Sequence, residues 1–355
     1  MMKLETHTLG EICDKAGGFI RTGPFGSQLH ESDYVEQGIP VVMPKNIIDG
    51  KVLTEDIALI HEEDAQRLST HRLKQGDIVY GRRGDIGRHA IVTRREAGWL
   101  CGTGCLRISQ VNRILEPLFL HYYLSQQEII TWIANHAIGA TLPNLNTSIL
   151  RSVPIVYPPL PIQRTIATIL SAYDDLIENN TRRIAILEEM AQMLYQEWFV
   201  KFRFPGHEQA TMVESEMGMI PEGWEAVQFI DIADVLSGGT PKTTVAEYWN
   251  GDIPFYTPKD APDSFFAITT EKSITVSGLN SCSSKLYPKN TVFITARGTV
   301  GKVALNAYDM AMKQSCYALK GRGSMGQLFT FMHISNCIRR LKQTANGAVF
   351  DTIIV

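Results

Sequence analysis

The sequence predicts an α+β protein in which two repeated α/β units are joined by a long coiled-coil spacer helix. Three observations carry this fold class. A cationic, glycine-rich stretch of the first half returns in the second half at a constant offset. Between the halves no proline occurs from Pro161 to Pro205. Within that window apolar residues step alternately by four and three, the period of a helix seam.

The repeat comes first in the chain. "GRRGDIGRHAIV", residues 81–92, lies over "TARGTVGKVAL", residues 295–305, so that Arg83, Gly84, Gly87 and Arg88 fall on Arg297, Gly298, Gly301 and Lys302 at an offset of 214. The same offset carries "GIPVVMPKNI" onto "DIPFYTPKDA", pairing Pro40 with Pro254, Pro44 with Pro258 and Lys45 with Lys259. Independent anchors at one offset mark a duplicated unit. Further on, "EPLFLHYYLSQQEIITWIANHAIGA" and "GQLFTFMHISNCIRRLKQTANGA" are both helical in period and both close on Gly-Ala, now at an offset of 208. Each repeat therefore reads as short strands with Gly/Pro turns, followed by one amphipathic helix with a glycine stop.

The R-G-x-x-G loop has two readings. A tight strand connection needs the glycines for backbone freedom but has no use for Arg83 and Arg297. Glycines also let a backbone come close to a phosphate, and the flanking guanidinium groups then reach phosphate oxygens or base edges. Because both copies keep their cations, the second reading is preferred. Residues 72–95 hold seven Lys/Arg against Asp77 and Asp85, a local basic patch on a chain of net charge −3. Candidate DNA contacts are Lys45, Arg82, Arg83 and Arg88 in the first unit and Lys242, Lys259, Arg297 and Lys302 in the second. Ser27 and Thr240, in glycine-rich turns at similar places, are weaker candidates.

The window from Pro161 to Pro205 is long enough for one helix of about 40 residues, roughly 60 Å. Pro161 suits its first turn and "PGH" its end. Tyr173, Ile177, Asn180, Ile184, Leu187, Ala191, Leu194 and Trp198 form the seam, with Asn180 as the single polar residue that fixes register and partner number. The predicted helix is a rigid spacer whose seam meets another long helix.

Two divergent repeats around "PPLPIQRTIATILSAYDDLIENNTRRIAILEEMAQMLYQEWFVKF" resemble the specificity (S) subunit of type I restriction-modification systems. "LPIQRTIATIL" is similar to that family's Leu-Pro-Glu-Gln helix start, with Ile162 in place of the usual Glu. "IPEGWEAVQFIDIADVLSGGTPKT" and "YWNGDIPFYTPKD" resemble the opening of a target recognition domain. The resemblance implies a first target recognition domain at 1–158, a conserved long helix at 159–204 and a second target recognition domain at 205–355. Each domain would read one half of an asymmetric bipartite site on double-stranded DNA, with the helix setting the gap; half-sites one helical turn, roughly 34 Å, apart are within reach. The implied partners are modification (methyltransferase) subunits using S-adenosylmethionine and motor/endonuclease subunits using ATP and Mg²⁺. No cofactor is expected in this chain itself. Family members carry a second long helix after the second domain, whereas this chain ends at "GAVFDTIIV". The expectation is a missing second spacer helix, through either a truncated or shifted reading frame or a split subunit in which another polypeptide supplies it.

Motif searches agree with a non-catalytic subunit. There is no Asp/Asn-Pro-Pro-Tyr/Phe run for amino-methyl transfer and no G-x-x-x-x-G-K-S/T for ATP. "PDSFFAITTEK" places Asp263 and Glu271 without the lysine spacing of a nuclease, and "GRGSMG" lacks the acidic residue a dinucleotide site needs. Cys101 and Cys105 have no second pair to complete a zinc site, so they read as buried apolar residues. Six scattered cysteines, no apolar run of membrane length and an N-terminus without a signal-peptide pattern lead to an expected cytoplasmic location. The alternative function is a coiled-coil adaptor displaying two protein-binding modules, which salt dependence of DNA binding would distinguish.

Overall fold

The computed structural model describes residues 4–83, 87–137, 144–216, 218–297, 300–323 and 325–344. The chain divides into two compact units, Met1–Glu178 and Asn179–Val355, each of which takes part of one long helix.

The first unit begins with β1 (Glu5–Thr8) and α1 (Leu9–Ala16). Thr8 caps α1 reciprocally with Glu11, Gly17 closes it in the left-handed region (φ 75°), and Leu9, Ile12, Cys13 and Ala16 form its buried stripe. Then follow β2 (Phe19–Thr22), β3 (Tyr34–Val35), β4 (Ile39–Val42), β5 (Ile47–Ile48), β6 (Lys51–Val52), β7 (Ala58–Ile60) and α2 (Glu62–Arg67). The unit continues with β8 (Ile78–Gly81), β9 (His89–Ile91), β10 (Leu100–Cys101), β11 (Cys105–Ser109), α3 (Pro117–Leu124), α4 (Gln127–His136), α5 (Thr147–Arg151) and β12 (Pro154–Tyr157).

Two sheets organise these elements. One is antiparallel throughout, in the order β2-β11-β8-β9. The other runs β10-β4-β7-β3, with β10 parallel to β4. The central strands β8 and β11 are buried along their whole length, so the first sheet is covered on both faces. On one face Ile20, Ile78, Tyr80, Leu106 and Ile108 pack against Leu9, Ile12, Leu120, Ile133 and Leu150 from the helices. On the other, Val79 and Cys105 meet Val42, Ile47 and Cys101. Both cysteines are packing residues, and burial pushes the Cys101 thiol up to about 12.

Inside this sandwich lies an ion pair. Arg107 Nε donates to Asp77 Oδ2 at 2.6 Å, Ser109 Oγ donates to Asp77 Oδ1 at 2.5 Å, and the Lys74 amide donates to Oδ2 at 2.7 Å. The pair ties the turn before β8 to the middle of β11.

The helical part of the first unit differs from the single helix predicted. It is two helices, α3 and α4, separated at Ser125 and Gln126. Ser125 Oγ donates back to the His121 carbonyl at 2.9 Å. The Ser125 N–H donates to the same carbonyl at 3.2 Å, and the chain breaks at the next residue, where Gln126 turns extended as the start of α4. Its Gly-Ala stop at 139–140 lies outside the described residues.

The long helix α6 (Leu160–Tyr195) spans 36 residues and passes into a π-helical turn, Gln196–Val200. Its start is held by Gln163, which is fully buried. The Gln163 amide donates to the carbonyls of Ile114 (3.0 Å) and Pro158 (2.8 Å) and accepts from the Glu116 N–H (2.9 Å). Along the helix the predicted seam is open: Tyr173, Ile177, Ile184, Leu187 and Leu194 are at least half exposed, Asn180 is exposed, and Trp198 is 37% exposed.

The second unit holds β13 (Met212–Ser215), β14 (Gly218–Pro221), α7 (Phe229–Ile232), β15 (Ala233–Ser237), β16 (Trp249–Tyr256), β17 (Phe266–Ala267), β18 (Lys272–Ile274) and α8 (Val276–Asn280). After them come β19 (Val292–Thr295), β20 (Val303–Asn306), β21 (Ala311–Met312), β22 (Cys316–Gly321) and α9 (Gln327–Thr344). Its first sheet is β15-β22-β19-β20-β17, and its second is β18-β16-β21 with β16 parallel to β21. Strand for strand, β15, β22, β19 and β20 pair as β2, β11, β8 and β9 do, and β18, β16 and β21 pair as β7, β4 and β10 do. The repeat seen in the sequence is therefore a repeat of strand pairing. Here the helical part is the one continuous helix predicted, α9; its Gly-Ala stop at 347–348 lies outside the described residues.

Candidate nucleic-acid interface

In each unit four loops meet where the strands of both sheets end, and main-chain hydrogen bonds join them. In the first unit the Gly23 N–H donates to the Cys105 carbonyl (2.9 Å), Gly102 N–H to Val42 (2.9 Å) and Arg82 N–H to Gly104 (2.8 Å). These bonds gather the loop after β2, the 3₁₀ turn Pro44–Asn46 after β4, the Arg-Gly loop after β8 and the segment between β10 and β11. The second unit repeats the scheme: Gly238 N–H to Cys316 (3.4 Å), Lys313 N–H to Tyr256 (2.9 Å) and Ala296 N–H to Ser315 (2.9 Å). The approach is close enough to require glycine. A Cβ on Gly23 would sit 2.0 Å from the Gly102 carbonyl oxygen, and one on Gly238 would sit 2.3 Å from that of Lys313.

Within the first unit a concavity at this junction is lined by Thr22, Pro24, Phe25, Pro44, Arg82, Arg83 and Thr103. Lys45, Ser27 and Arg83 are exposed. Arg82 is half-buried, and its Nε donates to Asn144 Oδ1 and to the Leu145 carbonyl, both at 3.1 Å. Much of its side chain thus pins the 144–145 segment. Arg88 is exposed and lines a different hollow, with Asp49, His121, Tyr122 and Asp174. Gly84, between these arginines, lies outside the described residues.

In the second unit Lys242, Lys259 and Arg297 are exposed. Lys259 sits on the 3₁₀ turn Pro258–Asp260, as Lys45 does on Pro44–Asn46. Lys302 is less available, because its Nζ is held by Asp263 Oδ1 at 2.5 Å. Thr240 donates its hydroxyl to Gln314, which closes the glycine turn onto the segment before β22. Lys45, Arg83 and Ser27 in one unit and Lys242, Lys259 and Arg297 in the other are thus exposed on the loops that meet at the junctions.

Sequence reasoning missed three residues at these junctions. Phe25 is 59% exposed at the tip of the β2 loop. Lys313 and Gln314 stand where the first unit has Gly102 and Thr103, at an offset of 211 instead of 214. Three residues lost between anchors hid that correspondence.

Beneath the Arg-Gly loop of the first unit lies a pair of buried histidines. The His89 ring sits between the Gly87 carbonyl (Nδ1, 2.9 Å) and the His121 carbonyl (Nε2, 3.0 Å) and stacks on Tyr80, centroids 5.2 Å apart. Burial lowers both histidines, and His121 falls to about 4 from 6.5. Between those two pH values the unfolded chain binds a proton that folded His121 refuses, so stability falls as the pH drops through that window. His89 and His71 shift in the same direction. Urea unfolding is expected to show lower stability at pH 5 than at pH 7, with a smaller difference in His121→Phe. An equal difference in the two proteins would refute the assignment.

Comparisons with known proteins identify the family. The model of the type I restriction modification DNA specificity domain matches residues 1–189 and 221–353. The chain is 24% identical over 328 residues to a putative type I restriction enzyme MjaX specificity subunit of Methanocaldococcus jannaschii, covering 89% of this chain and 74% of that one. It is 23% identical over 364 residues to the type I restriction enzyme HindI specificity subunit of Haemophilus influenzae, covering 85% of this chain and 78% of that one. The crystal structure of a type I restriction-modification S subunit from M. genitalium shares the fold, with a TM-score of 0.58 at 15% identity over 100% of this chain and 82% of that one. Among the described residues no helix is long and apolar enough to cross a membrane. With the family model matched across both repeats, the chain belongs to the type I restriction modification DNA specificity family, as a specificity subunit.

Proposed function

We propose that each unit reads one half of an asymmetric, bipartite site on double-stranded DNA and that α6 sets the distance between the halves. The observation that carries this reading is the doubled loop junction. Two non-identical copies of one main-chain frame each present exposed cations on matching turns, Lys45 with Arg83 and Lys259 with Arg297. Different side chains on equal frames read different half-sites.

The chain performs no bond-making step of its own. It positions modification subunits, which supply S-adenosylmethionine and the methyl transfer, and motor/endonuclease subunits, which supply ATP and Mg²⁺ chemistry. The open apolar seam of α6 offers a surface for a second long helix, and the complex works on DNA in the cytoplasm.

Mapping methylated adenines in cells that co-express this chain with a modification subunit is expected to yield a two-part motif. Exchanging residues 1–158 for those of another specificity subunit should alter one part only. For the purified chain, DNA affinity is expected to fall steeply with salt, the slope of log K against log salt being about −0.9 per phosphate neutralised. A flat salt dependence, or methyl transfer by the chain alone, would refute the reading.

A further inference from the structure

We propose that Phe25 is a base-contacting, specificity-determining residue of the first unit, its ring packing as an apolar wedge against a base step of the half-site. The inference rests on the DNA reading above and deepens it.

The ring is displayed by a braced loop. Gly23 is buried and bonded to Cys105 (2.9 Å). The Phe25 N–H donates to Gln28 Oε1 at 3.1 Å, while its carbonyl accepts from the Gln28 N–H at 2.8 Å. Leu29, 4% exposed, anchors the far end in the core. The backbone at Phe25 is therefore fixed while the phenyl stays 59% exposed. An aromatic group held in water on a rigid loop is set up for a partner that covers it, and ordering it on binding costs little further entropy.

The surroundings select that partner. Arg82, Arg83 and Thr103 line the same concavity, and Pro44 places exposed Lys45 beside it. Cations around an apolar tip match DNA, whose phosphates flank stacked bases and thymine methyl groups. In the second unit the corresponding position is Thr240, bonded to Gln314. The aromatic tip thus belongs to one unit only, and the two half-sites are read by different chemistry.

The test uses the chain assembled with its modification subunits and DNA carrying the mapped bipartite site. Phe25→Ala should weaken binding about 5- to 100-fold, the range of losses for base–aromatic contacts. It should also erase discrimination at one base-pair step of the half-site assigned to the first unit, leave the other half-site unaffected and keep the salt slope unchanged. Arg83→Ala, by contrast, should lower that slope by about 0.9 if it meets a phosphate. Phe25→Leu should retain part of the affinity. Unchanged affinity and discrimination in Phe25→Ala would overturn the proposal, as would weakened assembly with the modification subunits at unchanged DNA affinity. Absence of specific, salt-dependent binding by the unsubstituted complex would instead remove the DNA reading itself.

Discussion

Asp77→Ala is expected to destabilise the first unit by about 3 to 5 kcal/mol, because it leaves the buried Arg107 guanidinium without its counter-charge. The two side chains are 3% and 5% exposed and meet at 2.6 Å. Asp77 also accepts from Ser109 and from the Lys74 amide, so its removal orphans three donors. Arg107 retains weak support, bonds to Ser109 Oγ (3.2 Å) and the Thr70 carbonyl (3.3 Å) and a place over the Phe19 ring at 5.1 Å. Replacing both partners together, Asp77→Leu with Arg107→Met, should recover most of the loss, since the pair's burial is itself expensive. Thermal unfolding followed by circular dichroism provides the measurement. A loss under about 1 kcal/mol, the size expected of an exposed pair, would show that water reaches the site. The second unit has Thr291 and Ala318 at the corresponding positions, so its own transition should not move.

Arg297→Ala is expected to weaken recognition of one half-site by about 1 to 3 kcal/mol if the guanidinium is bidentate to guanine, and less if it touches only phosphate. Arg83→Ala should do the same for the other half. Both residues are exposed just past the ends of equivalent strands, β19 and β8, and the residue before each, Ala296 or Arg82, donates its N–H to the segment before the last strand. Losses at the two sites should add within about 0.5 kcal/mol, as independent sites do. Lys302→Ala should cost less than Arg297→Ala, because its ammonium already faces Asp263. Binding of each variant to DNA with one half-site scrambled at a time separates these outcomes. Equal loss on every sequence would reassign Arg297 to phosphate contact, and no loss anywhere would remove it from the interface.

Much of this architecture was legible because it repeats. The offset of 214 aligned β8 with β19 and Lys45 with Lys259, and the proline-free window delimited α6. What escaped was set by partners distant in sequence. Arg82 carried the same signal as Arg83, yet its Nε bonds Asn144, 62 residues away. Asp77 counted as part of a charged patch, whereas it is buried against Arg107, 30 residues on. The break between α3 and α4 is a change of backbone conformation at one residue, Gln126, below the resolution of a periodicity argument. Phe25 passed unremarked because a lone aromatic in a loop has no pattern; only its exposure beside cations distinguishes it.

The four loops are joined to one another chiefly by peptide groups, with Arg82, Thr240 and Gln28 adding side-chain bonds. Backbone amides and carbonyls are the same whatever residue carries them, so the brace is indifferent to the identity of most of what it supports. New side chains can be tried at Phe25, Lys45, Arg83 or Lys242 without spending folding stability, provided Gly23, Gly102 and Gly238 stay small. The fold thereby separates the chemistry of reading from the energetics of standing up, which leaves the reading free to diverge between two copies of one frame.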